Sequence, residues 1–182
     1  MNKTSALANL SKEIESCKAC KEHGIGTMVF GEGDPDADIM FVGEAPGKNE
    51  STVGRPFIGR SGKLLRAMIA ELGLNEADVY ITSPVKYLPE YGTPKLRDIE
   101  HARIHFNEQI DIISPKIIVL LGSTAAQAVL GEKIPTLKNH GKVIEKDDRT
   151  YFLTLHPAAA LRFQKFKILL SEDFKKLKDL VL

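Results

Sequence analysis

Three short polar segments of the chain carry groups that can donate, accept or transfer protons. They are Gly43-Glu-Ala-Pro-Gly, Ser83-Pro-Val-Lys and His156-Pro-Ala-Ala, and each follows an apolar run. Their carboxylate, hydroxyl and imidazole groups are suited to acid–base chemistry and to hydrogen bonding with a substrate. In a mainly parallel sheet, ligands bind outside the carboxyl ends of the strands. The three segments therefore predict a binding site, without specifying its substrate.

The first of these segments belongs to a glycine-rich stretch, VGEAPGKNESTVGRPFIGRSGKLL, which runs from Val42 to Leu65. It contains five glycines and two prolines. Glycine lets another group approach the main chain closely, although it costs conformational entropy on folding. We therefore expect another group to pack closely against the main chain of this stretch.

Common phosphate-binding loops do not account for that stretch. A P-loop needs a glycine five residues before its Gly-Lys pair and a Ser or Thr after the lysine. Val42 and Phe57 occupy the glycine positions before Gly47-Lys and Gly62-Lys, and Asn or Leu follows each lysine. Gly31-Glu-Gly-Asp-Pro-Asp lacks the third glycine of a dinucleotide-binding fingerprint. The stretch must therefore serve another kind of site.

Apolar runs and helical stripes alternate along the chain. The runs predict strands at 38–43, 79–82, 116–122 and 151–155, and the stripes predict helices at 6–21, 62–72, 97–113, 122–130 and 158–182. Continuous apolar strands separated by helices indicate a parallel sheet that is covered on both faces. We predict an α/β fold, a three-layer α/β/α sandwich with a mainly parallel central sheet, formed by a single domain over residues 1–182.

The composition of the 182 residues is that of a globular protein, with 43% apolar and 27% charged residues. Because the net charge is +1, any basic surface for a nucleic acid must be local. No apolar run reaches the length of a membrane span, and the first residues lack the apolar core of a signal peptide. Two cysteines are too few for a disulfide framework. We expect a cytoplasmic monomer without membrane contact.

Two motifs resemble the signatures of the family 4 uracil-DNA glycosylases. The first comprises Glu32-Gly-Asp-Pro-Asp-Ala-Asp-Ile-Met-Phe-Val-Gly-Glu-Ala-Pro-Gly and Gly54-Arg-Pro-Phe-Ile-Gly-Arg-Ser-Gly-Lys-Leu-Leu, and the second is His156-Pro-Ala-Ala-Ala-Leu-Arg. The likeness runs from about Cys17 to Arg162. It implies an enzyme of base excision repair that flips uracil, or another deaminated base, out of DNA and hydrolyses its N-glycosidic bond.

The resemblance assigns roles to residues of both motifs. Phe57 matches the aromatic residue that stacks on the flipped base, and three positions of the loop backbone would bind the base. His156 matches the histidine that donates a hydrogen bond to the uracil oxygen on which negative charge develops. Glu50 matches the acidic residue that orients water, while Glu44 is a second candidate that either assists catalysis or supports the loop. The loop positions are Gly43, Ala45 and Gly47.

Ser83 is the first departure from the family pattern. The family has an asparagine there, whose amide can both accept a hydrogen bond from uracil N3–H and donate one to O4. A serine hydroxyl is shorter and makes one donor bond, so discrimination among deaminated bases should be looser. The hydroxyl of Thr82 or a main-chain amide is an alternative source of the contact.

The cysteines are the second departure. The family binds a [4Fe–4S] cluster through four cysteines, but only Cys17 and Cys20 match, and Tyr87 and Ala102 occupy the other two positions. Four thiolates are the usual requirement, so we expect no cofactor and leave a [4Fe–4S] cluster as the alternative. His101, or His23 in Cys17-x-x-Cys-x-x-His, could complete a metal site.

A further short match involves Arg103-Ile-His. It resembles a motif in a related group of enzymes, whose histidine bonds covalently to the sugar from a loop inserted before a helix. Here the three residues fall inside the predicted helix 97–113. We therefore expect His105 to have no part in catalysis.

The predicted partner is DNA that contains uracil or another deaminated base. Basic residues would supply the phosphate contacts that any DNA-binding surface needs. Two alternative functions remain open: a non-catalytic relative that binds damaged DNA, favoured by Ser83 and the missing cysteines, and a nucleoside or nucleotide hydrolase. The predicted phosphate contacts are Arg55, Arg60, Lys63, Lys86 and Arg162, with Lys165 and Lys167 beyond them.

Overall fold

A computed structural model describes residues 2–181. The strands are β1 (Gly24–Ile25), β2 (Glu32–Gly33), β3 (Ile39–Val42), β4 (Val79–Thr82), β5 (Leu88–Pro89), β6 (Ile117–Leu121), β7 (Lys142–Lys146) and β8 (Arg149–Thr154). The helices are α1 (Lys3–Ser16), α2 (Lys18–Lys21), α3 (Lys48–Val53), α4 (Arg60–Glu71), α5 (Leu96–Ile113), α6 (Ser123–Leu130), α7 (Thr136–Asn139), α8 (Pro157–Arg162) and α9 (Gln164–Val181).

The central sheet has the spatial order β2-β4-β3-β6-β8-β7. Strands β4, β3, β6 and β8 run parallel, and their residues are almost all buried. The two edge strands, β2 and β7, are antiparallel to their neighbours. Because all four inner strands point the same way, their carboxyl ends lie along one edge of the sheet, as predicted.

Helices cover both faces of this sheet. On one face, α4 and α9 bury apolar side chains such as Leu65, Ile69 and Phe174 against the strands. On the other face, α1, α5 and α6 contribute Leu7, Phe106 and other apolar side chains. The predicted three-layer α/β/α sandwich is therefore confirmed. Within residues 2–181, no helix combines the length and the apolar character needed to cross a bilayer.

The predicted strands are all present, but two predicted helices are each divided in the structure. The helix expected at 6–21 is interrupted at Cys17, between α1 and α2, and the one expected at 158–182 is interrupted at Phe163, between α8 and α9; its last residue, Leu182, lies outside the described residues.

The glycine-rich stretch also differs from the prediction. Residues 48–53, which we expected to be loop, form α3 between Gly47 and Gly54, and Gly54 ends the helix in the left-handed conformation with φ of 80°. A second, two-stranded sheet pairs β1 with β5, and its strands were not predicted. The stretch is thus two loops that flank a short helix and lead into α4.

Candidate active site

A cavity of about 140 Å³ lies at the carboxyl ends of β3 and β4 and at the start of α8. We call it the central pocket. The predicted site residues that line it are Ala45, Gly47, Glu50, Phe57, Ser83 and His156. Three segments that are far apart in the sequence thus meet around one space, because they follow β3, β4 and β8, whose carboxyl ends lie along the same edge of the sheet.

The ring of Phe57 lies on one side of the central pocket, directly over Gly43. A Cβ atom at Gly43 would stand 2.6 Å from Phe57 Cζ, so only glycine leaves room for the ring. Phe57 itself has a positive φ of 52°, a conformation that is costly for a bulky residue. Its ring is roughly parallel to that of His156, with 6.0 Å between the centroids. The two rings present flat apolar faces to the same space.

Arg66, on α4, holds the Phe57 loop in this strained conformation. Its Nε donates to the Phe57 carbonyl at 3.2 Å, and its Nη2 donates to the Pro56 carbonyl at 2.9 Å. The same guanidinium pairs with Glu32 at 2.6 Å and with Glu76. None of these residues was predicted to support the site: Glu32 opens the first motif without an assigned role, and Arg66 and Glu76 lie outside both motifs.

Glu50, on α3, anchors the other side of the same loop. Its Oε1 accepts hydrogen bonds from the main-chain N–H groups of Ile58 at 3.1 Å and of Gly59 at 3.0 Å. Its Oε2 faces Gly47, since a Cβ atom there would stand 2.6 Å from it. Oε2 has no hydrogen-bond partner among the interactions of residues 2–181. One carboxylate oxygen is thus committed to structure, and the other remains able to accept a hydrogen bond.

Glu44 lies outside the lining of the central pocket. Its Oε2 accepts a hydrogen bond of 2.6 Å from Thr124 Oγ1, near the start of α6. This contact joins the end of β3 to α6, which packs on the opposite face of the central sheet from Phe57. Of the two roles left open for Glu44, the geometry favours support of the loop.

His156 caps the first turn of α8. Its Nδ1 accepts a hydrogen bond of 3.1 Å from the main-chain N–H of Ala158. Burial lowers the pKa of His156 to about 4, so the ring is neutral at pH 7. Because Nδ1 is the acceptor in the neutral ring, the proton must be on Nε2. His156 therefore offers one N–H donor from a neutral imidazole.

Ser83 lies at the end of β4 and is buried. Its hydroxyl donates to the carbonyl of Val85 at 2.9 Å, which leaves only the lone pairs of Oγ for a ligand in the pocket. The alternative residue, Thr82, does not line the pocket: its hydroxyl donates to the Phe30 carbonyl at 3.0 Å, on the inner side of the strand. Ser83 thus provides an acceptor at this position.

The prediction that Lys86 contacts DNA is wrong. Lys86 is only 4% exposed, and its Nζ donates to the Phe30 carbonyl at 2.9 Å, to Thr82 Oγ1 at 2.7 Å and to Gln109 Oε1 at 2.6 Å. Burial lowers the pKa of Lys86 well below its usual range. Nζ has three internal acceptors within hydrogen-bond distance, on Phe30, Thr82 and Gln109, so Lys86 ties β4 to α5 instead of facing a phosphate.

The other predicted DNA contacts are exposed. Arg55 makes a two-point ion pair with Glu32, at 2.8 and 3.0 Å. Arg60 and Arg162 line a groove that shares Ser61 with the central pocket. Lys63 is on the first turn of α4, close to that groove.

Sequence reasoning missed two exposed apolar side chains next to this groove. Leu161 is 42% exposed and Phe163 is 53% exposed, and both follow His156 within a few residues. Once the end of α8 is known, an exposed apolar pair beside basic residues indicates an interaction surface.

The cysteines lie away from the central pocket, with two histidines of α5. Cys17, Cys20, His101 and His105 form one group whose potential ligand atoms lie within 4.8 Å of one another. His23, the alternative ligand, is outside this group and contacts Arg97. His105 lies inside α5, and it does not line the central pocket.

Comparison with known proteins identifies the same family along most of the chain. A model of the uracil DNA glycosylase superfamily matches residues 30–178. The type-4 uracil-DNA glycosylase of Sulfurisphaera tokodaii is 43% identical, over 97% of this chain and 86% of that protein. The type-4 uracil-DNA glycosylases of Archaeoglobus fulgidus and Thermotoga maritima are each 36% identical, over 96% and 94% of this chain and 93% of each relative.

Proposed function

Because this chain belongs to the uracil DNA glycosylase superfamily, we propose that its central pocket holds a uracil flipped out of DNA while the N-glycosidic bond is hydrolysed. The chain matches type-4 enzymes along nearly its whole length. It is a monofunctional DNA glycosylase that acts in base excision repair. The geometry of the pocket supports the contribution that we propose for each residue.

The proposal chiefly depends on the position of His156, which lines the central pocket while its Nδ1 accepts from the main-chain N–H of Ala158. As the bond between the base and the sugar breaks, its electron pair moves to the base, and negative charge develops on a uracil carbonyl oxygen. The Nε2–H of His156 faces the pocket in our assignment and donates to that oxygen. A fixed neutral donor stabilises the departing anion without having to transfer its proton.

Glu50 positions the water that attacks the sugar. Its Oε1 is held by two main-chain N–H groups, so the carboxylate is fixed in orientation and Oε2 accepts a hydrogen bond from water. The negative charge also favours the cationic sugar of the transition state. Glu44, which is bound to Thr124, is assigned to support of the loop and not to catalysis.

The base itself is held by stacking and by the loop backbone. Phe57 covers one face of the base, and the main chain at Ala45 and Gly47 bounds the pocket. Gly43, which we expected to bind the base, lies against the Phe57 ring and does not line the pocket. Ser83 Oγ accepts from the N3–H of the base, because its own proton is used by Val85. Since no side-chain amide donates to the O4 position from Ser83, the enzyme accepts uracil and also other deaminated bases.

DNA binds across the groove beside the pocket. Arg60, Lys63 and Arg162 neutralise phosphates there, and Arg55 adds a further positive charge. Leu161 enters the space that the flipped base leaves in the stack, as apolar wedges do in other proteins that deform DNA. We further propose that the enzyme acts as a monomer and that it works in the cytoplasm with the DNA that it repairs.

The direct test is excision from labelled oligonucleotides that contain uracil, hypoxanthine, xanthine or a normal base, read as strand breaks after alkali. We expect cleavage at uracil and at a second deaminated base, and none at normal bases. His156→Ala should lower the single-turnover rate by roughly 10² or more, with unchanged binding to abasic product. His23→Ala is the matched control. A wild-type rate in His156→Ala would remove the assigned role, and no cleavage of any substrate would overturn the proposed activity.

A further inference from the structure

Four metal-binding side chains converge on one side of α5, away from the central pocket. Cys17 precedes the short helix α2 and Cys20 lies within it, while His101 and His105 lie one turn apart on α5. Residues at positions i and i+4 of a helix share one face. The spacings Cys-x2-Cys and His-x3-His are those of structural zinc sites with two cysteines and two histidines. All four potential ligand atoms lie within 4.8 Å of one another.

The distances suit a single ion. Donor atoms around a tetrahedral zinc, with Zn–S of about 2.3 Å and Zn–N of about 2.0 Å, stand about 3.3 to 3.8 Å apart. Cys17 Sγ and His101 Nε2 are already 3.2 Å apart. A thiol–imidazole hydrogen bond would explain that one pair, but it would not explain why Cys20 and His105 face the same point.

His105 supplies an independent observation. It is only 7% exposed, and within the described part of the chain its Nδ1 is buried without a hydrogen-bond partner. The nearest carboxylate is Glu13 Oε1, at 3.4 Å. Metal-binding histidines commonly direct their second ring nitrogen at a carboxylate, which fixes the ring. An ion on Nε2 would give His105 this arrangement, with Nδ1–H directed at Glu13.

The side chains here do not fit the [4Fe–4S] cluster of the family. Tyr87 and Ala102 stand where two of the four cysteines would be, and both are buried. Tyr87 packs with Leu10 and Ile14, so its ring occupies this region of the core. A Rieske centre places its two histidines on one iron and its two cysteines on the other. Here a sulfur and a nitrogen are 3.2 Å apart, which favours one ion shared by both ligand types.

We propose that this chain binds one structural Zn²⁺ through Cys17, Cys20, His101 and His105, at the place where its family carries an iron–sulfur cluster. Both thiols release their protons to solvent on binding, and no redox step is involved. Four protein ligands leave no open position, so the ion has no part in base excision. It fastens α2 and the segment that leads to β1 onto α5.

The location predicts an effect on stability and not on chemistry. The cavity beside Cys20, His101 and His105 and the central pocket have no lining residue in common. The cross-link joins parts of the chain that are more than 80 residues apart, since Cys17 and His101 are separated by 84 positions. Loss of such a cross-link mainly enlarges the conformational freedom of the unfolded chain. Removal of zinc should therefore lower the melting temperature.

Metal analysis of untagged wild-type protein tests the proposal first. We expect about one zinc and almost no iron per chain. After exchange, Co²⁺ should give the visible d–d absorption of a tetrahedral site with thiolate ligands. A chromophore that bleaches with dithionite, together with about four irons per chain, would overturn the proposal, and so would protein that binds neither zinc nor cobalt.

Variants then test the individual ligands. Cys20→Ser and His105→Ala should lose the bound zinc, and a chelator that lowers the melting temperature of wild type should leave that of His105→Ala unchanged. His23→Ala is the matched control, because His23 also follows the cysteine pair but lies outside the group, and it should retain zinc. Full zinc content in both ligand variants, or loss of zinc in His23→Ala alone, would refute the assigned ligand set. The wild-type analysis decides the matter even if a variant does not fold.

Discussion

Glu50→Gln separates the two roles that the structure gives to this carboxylate. A glutamine has nearly the same shape and keeps a carbonyl oxygen, which can still accept from the N–H groups of Ile58 and Gly59. It loses the negative charge and places an amide, which is a donor, where Oε2 now faces Gly47. The loop should therefore persist, while water and the cationic sugar lose their charged partner.

The size of each effect follows from the contacts. Two hydrogen bonds to a charged acceptor, at 3.1 and 3.0 Å, become bonds to a neutral one. Hydrogen bonds to charged groups are worth about 1 kcal/mol more than neutral ones, so stability should fall by about 2 kcal/mol. In a domain of this size, that is a decrease of roughly 4–8 °C in Tm. Loss of a positioned general base lowers rates by about 10²–10⁴.

Single-turnover excision of uracil and thermal unfolding should be measured on the same preparations. Glu50→Gln should be folded but slow. Glu44→Gln should keep a rate near that of wild type, because its acceptor for Thr124 is retained and the side chain lies outside the pocket lining. If Glu50→Gln excises uracil at the wild-type rate and only its Tm falls, the carboxylate merely anchors the loop and our reasoning about water is refuted.

Three further outcomes are expected. Ser83→Asn should sharpen the preference for uracil over hypoxanthine by about 1–3 kcal/mol, because an amide adds a donor to the pocket; an unchanged ratio of the two excision rates would contradict this. Burial lowers the pKa of His156 from 6.5 to about 4, so between these pH values the unfolded chain binds more protons than the folded one. The free energy of unfolding should therefore fall by about 3 kcal/mol as the pH drops from about 6.5 to 4. Urea unfolding at several pH values should show this decrease in the free energy of unfolding for wild type. The decrease should be smaller for His156→Asn, because asparagine can still cap the helix but does not titrate. Leu161→Ala should slow excision from duplex DNA by roughly tenfold, the value of one buried leucine, and affect single-stranded substrate less; equal slowing of both would argue against a wedge.

Much of the fold was predictable because its inner strands are buried on both faces. The apolar run at β4 was predicted with the observed bounds, and Gly131 correctly marked the end of α6. Strand β7 was missed because all but one of its residues are exposed, so its sequence carries no buried periodicity. It becomes a strand only because β8 presents a free edge for pairing. Helix α3 was missed because it is six residues long, with glycine at both ends.

The site was predictable where its residues belong to motifs that follow strands, and it was not predictable where support comes from distant segments. Ser83 and His156 line one pocket, as their positions directly after strands suggested, and Phe57 lines it as the family motif implied. Lys86 also follows β4, yet two of its three acceptors lie on Phe30 and Gln109, 56 and 23 residues away. Nothing in the sequence near Lys86 distinguishes a lysine that faces phosphate from one that is enclosed in the core.

The glycines of the first motif are explained largely by the protein's own side chains. The ring of Phe57 occupies the space above Gly43, and a Cβ atom at Gly62 would collide with the carbonyl oxygen of Phe57. The loop is thus folded against itself and fastened by Glu50 on one side and Arg66 on the other. Because these contacts form on folding, the stacking surface is in place before a base arrives, and binding need not order the loop. The strain at Phe57, with its φ of 52°, is therefore sustained by the fold and not by the substrate.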